Sequence, residues 1–206
     1  SGAAVKVQQS PQGEVLEPVF NHGIKMVSMG FLIDPDQPVI WRGPMLNGII
    51  RQFLYQVNWG ELDYLIVDMP PGTGDAQLTL TQSVPMAGAV IVTTPQTVSL
   101  LDARRGLKMF QQMGVNVLGI VENMSYFIPP DMPDRQYDLF GSGGGEKASK
   151  ELNVPLLGCV PLEISLREGG DAGVPIVVSA PDSASAKALT AIAKQIAGKV
   201  SMAAFA

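Results

Sequence analysis

The sequence predicts an α/β protein with a mostly parallel, doubly wound sheet, and three observations support this fold class. Five short apolar runs rich in β-branched residues are mostly continuous rather than alternating, as in strands that are covered on both faces. Helical patterns, with apolar residues three and four positions apart, separate these runs. The 22 glycines and 16 prolines fall mostly between the apolar runs, where they mark turns. Strands that alternate with helices imply right-handed βαβ crossovers.

Each element follows from the same patterns. The predicted strands are Ile24–Gly30, Tyr64–Asp68, Ala89–Thr93, Val115–Val121 and Val154–Val160. The predicted helices are 43–57, Ala76–Val84, a stretch from an N-cap at Thr97 to a stop at Gly114, Glu146–Leu152 and Ser183–Ala204. Residues 1–20 read as irregular structure or as an edge hairpin, and Tyr126–Phe140 reads as a loop. We expect one domain over residues 1–206, because no linker is long enough to separate two.

The composition excludes several classes of function. The net charge is −5 and no run of Lys and Arg exceeds two residues, so the basic face that nucleic acid requires is missing. The single cysteine, Cys159, permits no intramolecular disulfide, which fits a reducing cytoplasm. No apolar run reaches the roughly 18 residues of a membrane span, and the first residues do not resemble a signal peptide. We therefore expect a cytoplasmic protein that binds neither nucleic acid nor membrane.

An apolar run that ends at Asp68 and enters a Pro/Gly turn predicts a catalytic, phosphate-sensing site. A carboxylate at the carboxyl end of a strand can hold Mg²⁺ through a water molecule. The backbone N–H groups of Gly72 and Gly74 can approach a γ-phosphate or an attacking water, because glycine has no Cβ. Pro70 stiffens the exit of the strand. The alternative is an ordinary strand-to-helix turn, in which Asp75 only caps the following helix.

Two further candidates lie at predicted strand ends on the same rim. Asn123 follows the strand Val115–Val121, and its amide can pair with the N6/N7 edge of adenine. Pro161 follows the next predicted strand and can place backbone groups against a base. The alternatives are an ordinary turn at Asn123 and a simple strand stop at Pro161.

A glycine-rich run, Gly141–Lys147, has the composition of a phosphate loop but not its spacing. In the pattern G-x-x-x-x-G-K-S/T the lysine follows glycine directly, whereas here Glu146 intervenes and Ala148 replaces the hydroxyl residue. We interpret the run as a flexible connection before a helix, with contact to an anion as the alternative. No phosphate loop of that pattern occurs anywhere in the 206 residues.

The chain resembles the Mrp or ApbC family of ATP-binding iron–sulfur cluster carriers, within the larger MinD/ParA group of P-loop ATPases. The resemblance extends from about Phe20 to Ala204, and its fine detail is most similar to the cyanobacterial branch. The motifs that carry it, in the order of the family, are Ile40–Met45, Asp63–Asp75, Val92–Gln96, Val121–Phe127, Phe140–Gly145 and Gly158–Leu162.

The resemblance implies a homodimeric ATPase with a MinD-like fold that transfers clusters to iron–sulfur recipient proteins. By motif match, Asp68 is the Walker B acid that holds Mg²⁺. The turn from Pro70 through Thr73 to Asp75 senses the γ-phosphate of ATP. Asn123 and the backbone near Pro161 hold the adenine.

Two departures from the family pattern modify this expectation. The family's K-G-G-V-G-K-S/T loop and its strand are not in the sequence, so the resemblance implies a fold that is incomplete at its N-terminal part. We expect that the chain by itself binds ATP feebly and hydrolyses none. Where many members carry C-x-x-C, residues 129–133 read Pro-Pro-Asp-Met-Pro. Because thiolates ligate a 4Fe–4S cluster, this loop provides no iron–sulfur ligand, and Cys159 alone cannot replace a pair.

Two other functions are compatible with the sequence. A ParA/MinD-like partitioning or membrane-positioning ATPase would lay the terminal helix on lipid, with Lys187, Lys194 and Lys199 opposite its apolar stripe. A non-catalytic binding module, or an inert fragment, would self-associate through an unpaired strand edge in the sheet.

Overall fold

The computed structural model describes residues 6–10, 13–32, 43–70, 74–132 and 134–204. The chain divides into two compact units, Ser1–Pro85 and Met86–Ala206, which we call the N-terminal and the C-terminal unit. The expectation of one domain over the whole chain stays a prediction.

The described residues of the N-terminal unit form two antiparallel hairpins and two α-helices. Strands β1 and β2 form the first hairpin and β3 and β4 the second, and helix α1 packs against helix α2. The bounds are β1 Lys6–Ser10, β2 Gly13–Glu17, β3 Val19–Asn21, β4 Ile24–Met26, α1 Gly43–Tyr55 and α2 Asp75–Ser83. Of the two predictions for residues 1–20, the hairpin is the one that the structure shows, at β1 and β2. Leu16, which is buried, bridges to Val57 just after α1 and so joins the first hairpin to the helices.

Two predicted strands in this unit are wrong. The expected strand Ile24–Gly30 is shortened to β4, because the chain bends into a 3₁₀ helix at Met29–Phe31. Residues 64–68 form no strand at all, and Ile66 is 89% exposed. A strand is stable only when a neighbour completes its hydrogen bonds. No backbone hydrogen bond joins residues 64–68 to another described residue.

The C-terminal unit is a three-stranded parallel sheet with helices on both faces. The strand order is β5-β6-β7, with β5 at Ala89–Thr93, β6 at Val117–Phe127 and β7 at Leu156–Leu162. The helices are α3 Thr97–Gln112, α4 Gly144–Leu152, α5 Ile164–Ala172, α6 Ile176–Ser179 and α7 Ala184–Ala204. The predicted α/β class with parallel strands is confirmed.

Adjacent residues of β6 show how the two faces of this sheet are covered. Ile120 belongs to a core cluster with Leu107 of α3 and Ala148 of α4, whereas Val121 packs in a second cluster with Ile192 of α7. Successive residues of a strand point to opposite faces. Helices α3 and α4 therefore cover one face of the sheet, and α7 covers the other.

The predictions for this unit differ from the structure mainly at element ends. Strand β5 is confirmed as predicted, while β6 and β7 each continue beyond their predicted ends. Phe127 extends β6 because its N–H and C=O both bond to Tyr137, 2.9 and 2.8 Å away, within the predicted loop. Gln96, not Thr97, is the N-cap of α3. Helix α5 is missing from the prediction because its glycine pair, Gly169 and Gly170, is typical of a loop.

Candidate functional site

The predicted phosphate-sensing residues lie in the N-terminal unit, between the irregular segment 64–70 and helix α2. Asp68 is exposed, and its carboxylate has no hydrogen-bond or ion-pair partner among the described residues. Gly72 and Thr73 lie outside the described residues. Pro70 is half-buried, and Gly74 is exposed at the start of α2. A free carboxylate oxygen is the ligand type that Mg²⁺ and its bound waters prefer.

A glutamine that the sequence analysis missed closes this turn. The side-chain Nε2 of Gln77 donates to the carbonyl of Pro70 at 2.9 Å, and its Oε1 accepts from the N–H of Gly74, also at 2.9 Å. Gln77 is only 3% exposed, and both bonds are partly buried. One amide therefore fixes the distance between the two ends of the turn. The spacing Gly74-x-x-Gln77 is the signal for this arrangement, because Gln at N3 commonly bonds to the N-cap backbone.

Asp75 does not cap helix α2. Gly74 is the N-cap and Asp75 is the first helical residue, so the capping interpretation is wrong by one position. A carboxylate in the first turn still interacts favourably with the positive end of the helix dipole.

The predicted base-binding residues lie together in the C-terminal unit. Asn123 on β6 pairs with Val160 on β7, so Asn123 and Pro161 are within one residue of each other in the register of neighbouring strands. The expectation that each residue follows the end of its strand is wrong, because β6 and β7 both continue. The regular pairing breaks after Asn123, where Met124 has a φ of 52° and donates its N–H to Asn123 Oδ1 at 3.0 Å. The Asn123 NH₂ group has no partner among the described residues and can donate to a ligand.

A buried carboxylate beside Asn123 explains what the glycine-rich run does. Glu122 is 2% exposed, and its two oxygens accept from the Ser125 hydroxyl and from the N–H of Gly145 in the first turn of α4. Gly144 and Gly145 are buried in that turn, so the interpretation of the run as a flexible connection is wrong for these two residues. The Glu122 carboxylate accepts a hydrogen bond from the Gly145 N–H, which is a group that an anion bound at this helix start would need.

Cys159 borders a cavity of about 190 Å³ next to this carboxylate. The cavity is lined by polar and acidic groups, namely Glu122, Ser125, Tyr126, Gln136, Asp138, Ser142, Gly143 and Glu146, together with Leu156 and Cys159. Among the described residues, no group of three His, Cys, Asp or Glu side chains can hold a metal ion. The side chains present do not fit an iron–sulfur cluster, because the chain has one thiol and the described part of the 129–133 loop has none.

The Cys159 thiol is expected to react slowly with alkylating reagents. Burial raises the pKa of Cys159, and the nearby Glu122 and Glu146 carboxylates add to this rise while a Ser125 hydrogen bond opposes it. A raised pKa lowers the thiolate fraction at neutral pH, and the thiolate is the reactive form. The iodoacetamide rate of the folded chain, followed by mass spectrometry, should increase only at a higher pH than the rate of the same chain in urea. Coincident pH profiles would contradict this assignment.

The apolar stripe of helix α7 packs against the sheet of the C-terminal unit. Ile192 is buried, and Leu189 and Ile196 pack beside it against Val121 and Val160 of the sheet. The stripe is therefore not available to lie on lipid, which argues against the membrane-positioning alternative. Among the described residues, none of the helices combines the length and the apolar character needed to cross a membrane.

Comparisons with known proteins agree with the predicted family. The family model described as "ParA: NUBPL iron-transfer P-loop NTPase" matches residues 2–197. An iron–sulfur cluster carrier protein of Synechocystis is 96% identical over 204 residues, which cover 99% of this chain and 58% of that protein. The mouse iron–sulfur cluster transfer protein NUBPL is 47% identical over 182 residues, which cover 88% of this chain and 57% of that protein. The chain thus spans little more than half the length of these relatives.

Solved structures with the same fold include a nucleotide-binding protein and a cell-division ATPase. The nucleotide-binding protein of Archaeoglobus fulgidus, in complex with ADP, is 39% identical with a TM-score of 0.66, over 82% of this chain and 64% of that one. The ATPase MinD of Pyrococcus furiosus is 26% identical with a TM-score of 0.54, over 75% of this chain and 58% of that one. The predicted MinD-like P-loop NTPase fold is confirmed. The chain belongs to the ParA/NUBPL family of iron-transfer P-loop NTPases.

Proposed function

We propose that this chain is the part of an ATP-dependent iron–sulfur cluster carrier that senses the terminal phosphate and reads the base of the nucleotide. The observation that carries the proposal is the exposed carboxylate of Asp68, which has no partner among the described residues and lies two residues before a turn whose ends Gln77 fixes. Buried structural carboxylates are normally paired, as Glu122 is. Asp68 is instead exposed and has no partner in the described part of the chain, which suits binding of a ligand from solvent beside the glycine turn.

Each residue has a separate task in the proposed reaction. Asp68 would hold Mg²⁺ through a water, and a bound Mg²⁺ would supply positive charge near the phosphates. Gly72 presents its backbone N–H to the terminal phosphate and helps to orient the attacking water. The predicted phosphate contact of Gly74 is not kept in the proposal, because its N–H is already donated to Gln77 Oε1. Thr73 is proposed to contribute to phosphate sensing with Asp75, the first residue of α2. Asn123 and the main chain at Pro161 hold the adenine.

The cluster itself is the cargo of the proposed reaction. The names of the Synechocystis and mouse relatives support a transfer role, and iron–sulfur recipient proteins are the corresponding partners. We assign no cluster ligand, because the chain provides one thiol and no C-x-x-C pair. A homodimer in the cytoplasm completes the proposal.

The proposal is tested by comparing ATP hydrolysis in two proteins. The Synechocystis carrier should hydrolyse Mg-ATP, whereas the 206-residue chain should show no turnover above a buffer blank, because its sequence contains no G-x-x-x-x-G-K-S/T loop for the β- and γ-phosphates. Phosphate release is measured for both at equal concentration, with EDTA as the control for the Mg²⁺ requirement. Turnover by the purified 206-residue chain, or none by the Synechocystis carrier, would contradict the proposal.

A further inference from the structure

We propose that Ser185 is a positioning residue for base recognition, which holds the end of β7 in register with Asn123. This inference deepens the proposed function and rests on it, because the ligand is taken to be an adenine nucleotide. Ser185 lies outside every motif that identifies the family in this sequence.

Ser185 forms two hydrogen bonds that connect the start of α7 to the end of β7 and to the residue after it. Ser185 is the second residue of α7 and is 0% exposed. Its Oγ donates to the carbonyl of Pro161 at 3.2 Å, and its N–H donates to Oε2 of Glu163 at 2.9 Å. One buried residue therefore holds the main chain on one side of Leu162 and a carboxylate on the other.

The hydrogen bond from Ser185 to Pro161 matters because, in the proposed site, the purine base lies between β6 and β7 and is recognised by both strands at once. On β6, the Asn123 amide is already oriented by the Met124 N–H, and its NH₂ group has no partner in the described part of the chain and can donate to a base. On β7, the main chain at Pro161 forms the opposite edge, and its carbonyl is held by Ser185. Adenine and guanine differ in their donors and acceptors at position 6 of the purine, so discrimination requires the two edges to keep a fixed separation.

A nearby serine provides a matched control. Ser183 precedes α7, and its Oγ accepts from the N–H of Ala186 at 3.1 Å, which caps the same helix end. Ser183→Ala removes one hydrogen bond from α7 but none from β7, whereas Ser185→Ala releases the Pro161 carbonyl. The two variants therefore separate the stability of the helix from the position of the strand end.

The test is an NMR titration of the 206-residue chain with AMP and, separately, with GMP. We expect the wild type to bind AMP more tightly than GMP, and Asn123→Ala to lose this preference. Ser185→Ala should weaken AMP binding by about fivefold, the equivalent of one typical hydrogen bond, and should bring the AMP and GMP affinities together. Ser183→Ala should lower the thermal midpoint about as much as Ser185→Ala does, but it should keep the wild-type ratio of AMP to GMP affinity.

The possible outcomes are distinct. A wild type that binds both nucleotides equally would overturn the adenine assignment, and the inference with it. A wild-type preference for AMP that Ser185→Ala retains, with or without a loss of thermal stability, would overturn the inference alone. Loss of the preference in Ser185→Ala but not in Ser183→Ala supports the positioning role.

Discussion

Replacing Gly144 by alanine is expected to destabilise the C-terminal unit by about 1–3 kcal/mol, the usual cost of overpacking a close contact. A Cβ on Gly144 would lie 2.6 Å from the carbonyl oxygen and 2.9 Å from the Cα of Pro95, and 3.1 Å from Leu100. The Pro95 atoms belong to the backbone, so they cannot rotate away as a side chain could. The first turn of α4 would have to move away from the loop that precedes α3.

The loss of stability is measured as the free energy of unfolding in urea. Hydrogen exchange of the amides in β5 and β6 is a second measurement of the stability of the same unit. Gly198→Ala in α7 is the matched control, because a Cβ there would have no neighbour within 4 Å. That substitution should stabilise the helix by up to about 1 kcal/mol, since alanine loses less backbone entropy than glycine. A Gly144→Ala variant as stable as wild type would show that α4 does not pack as described.

The sequence predicts the C-terminal unit well because its sheet is built from strands that find their neighbours within the unit. The run Ala89–Thr93 is apolar and β-branched, and β6 is present to complete its hydrogen bonds. Residues 64–68 are also mostly apolar but bond to no other described backbone. Apolar composition predicts that a segment can form a strand, while the strand itself depends on a partner that composition does not reveal.

The candidate site is predicted in part for the same reason. Asp68 and Asn123 can be identified from the chemistry of their side chains and from the runs that precede them. Glu122 and Ser185 act through contacts with residues 23 and 24 positions away, and no local pattern indicates such contacts. Gln77 is intermediate, because its spacing from Gly74 follows a known rule of helix starts.

In the Synechocystis carrier, replacing the aspartate that aligns with Asp68 by asparagine (Asp68→Asn in the present numbering) is expected to reduce the rate of ATP hydrolysis by about 100-fold or more. Asparagine has nearly the shape of aspartate but no charge, so it cannot attract the waters of a bound Mg²⁺ in the same way. Binding of Mg-ATP should change much less than turnover, because Asp68 is proposed to act on charge that develops in the transition state. Asp63→Asn is the matched control, since Asp63 is an exposed acid in the same part of the chain.

The most direct test of this account is the steady-state rate of phosphate release at saturating Mg-ATP for the wild-type carrier and for these two variants. We expect the Asp68→Asn rate to fall to about one hundredth of the wild-type rate or below, while the Asp63→Asn rate stays within about twofold of the wild-type rate. An Asp68→Asn variant that hydrolyses ATP as fast as the Asp63→Asn variant would contradict the assignment of this acid and its glycine turn to the terminal phosphate.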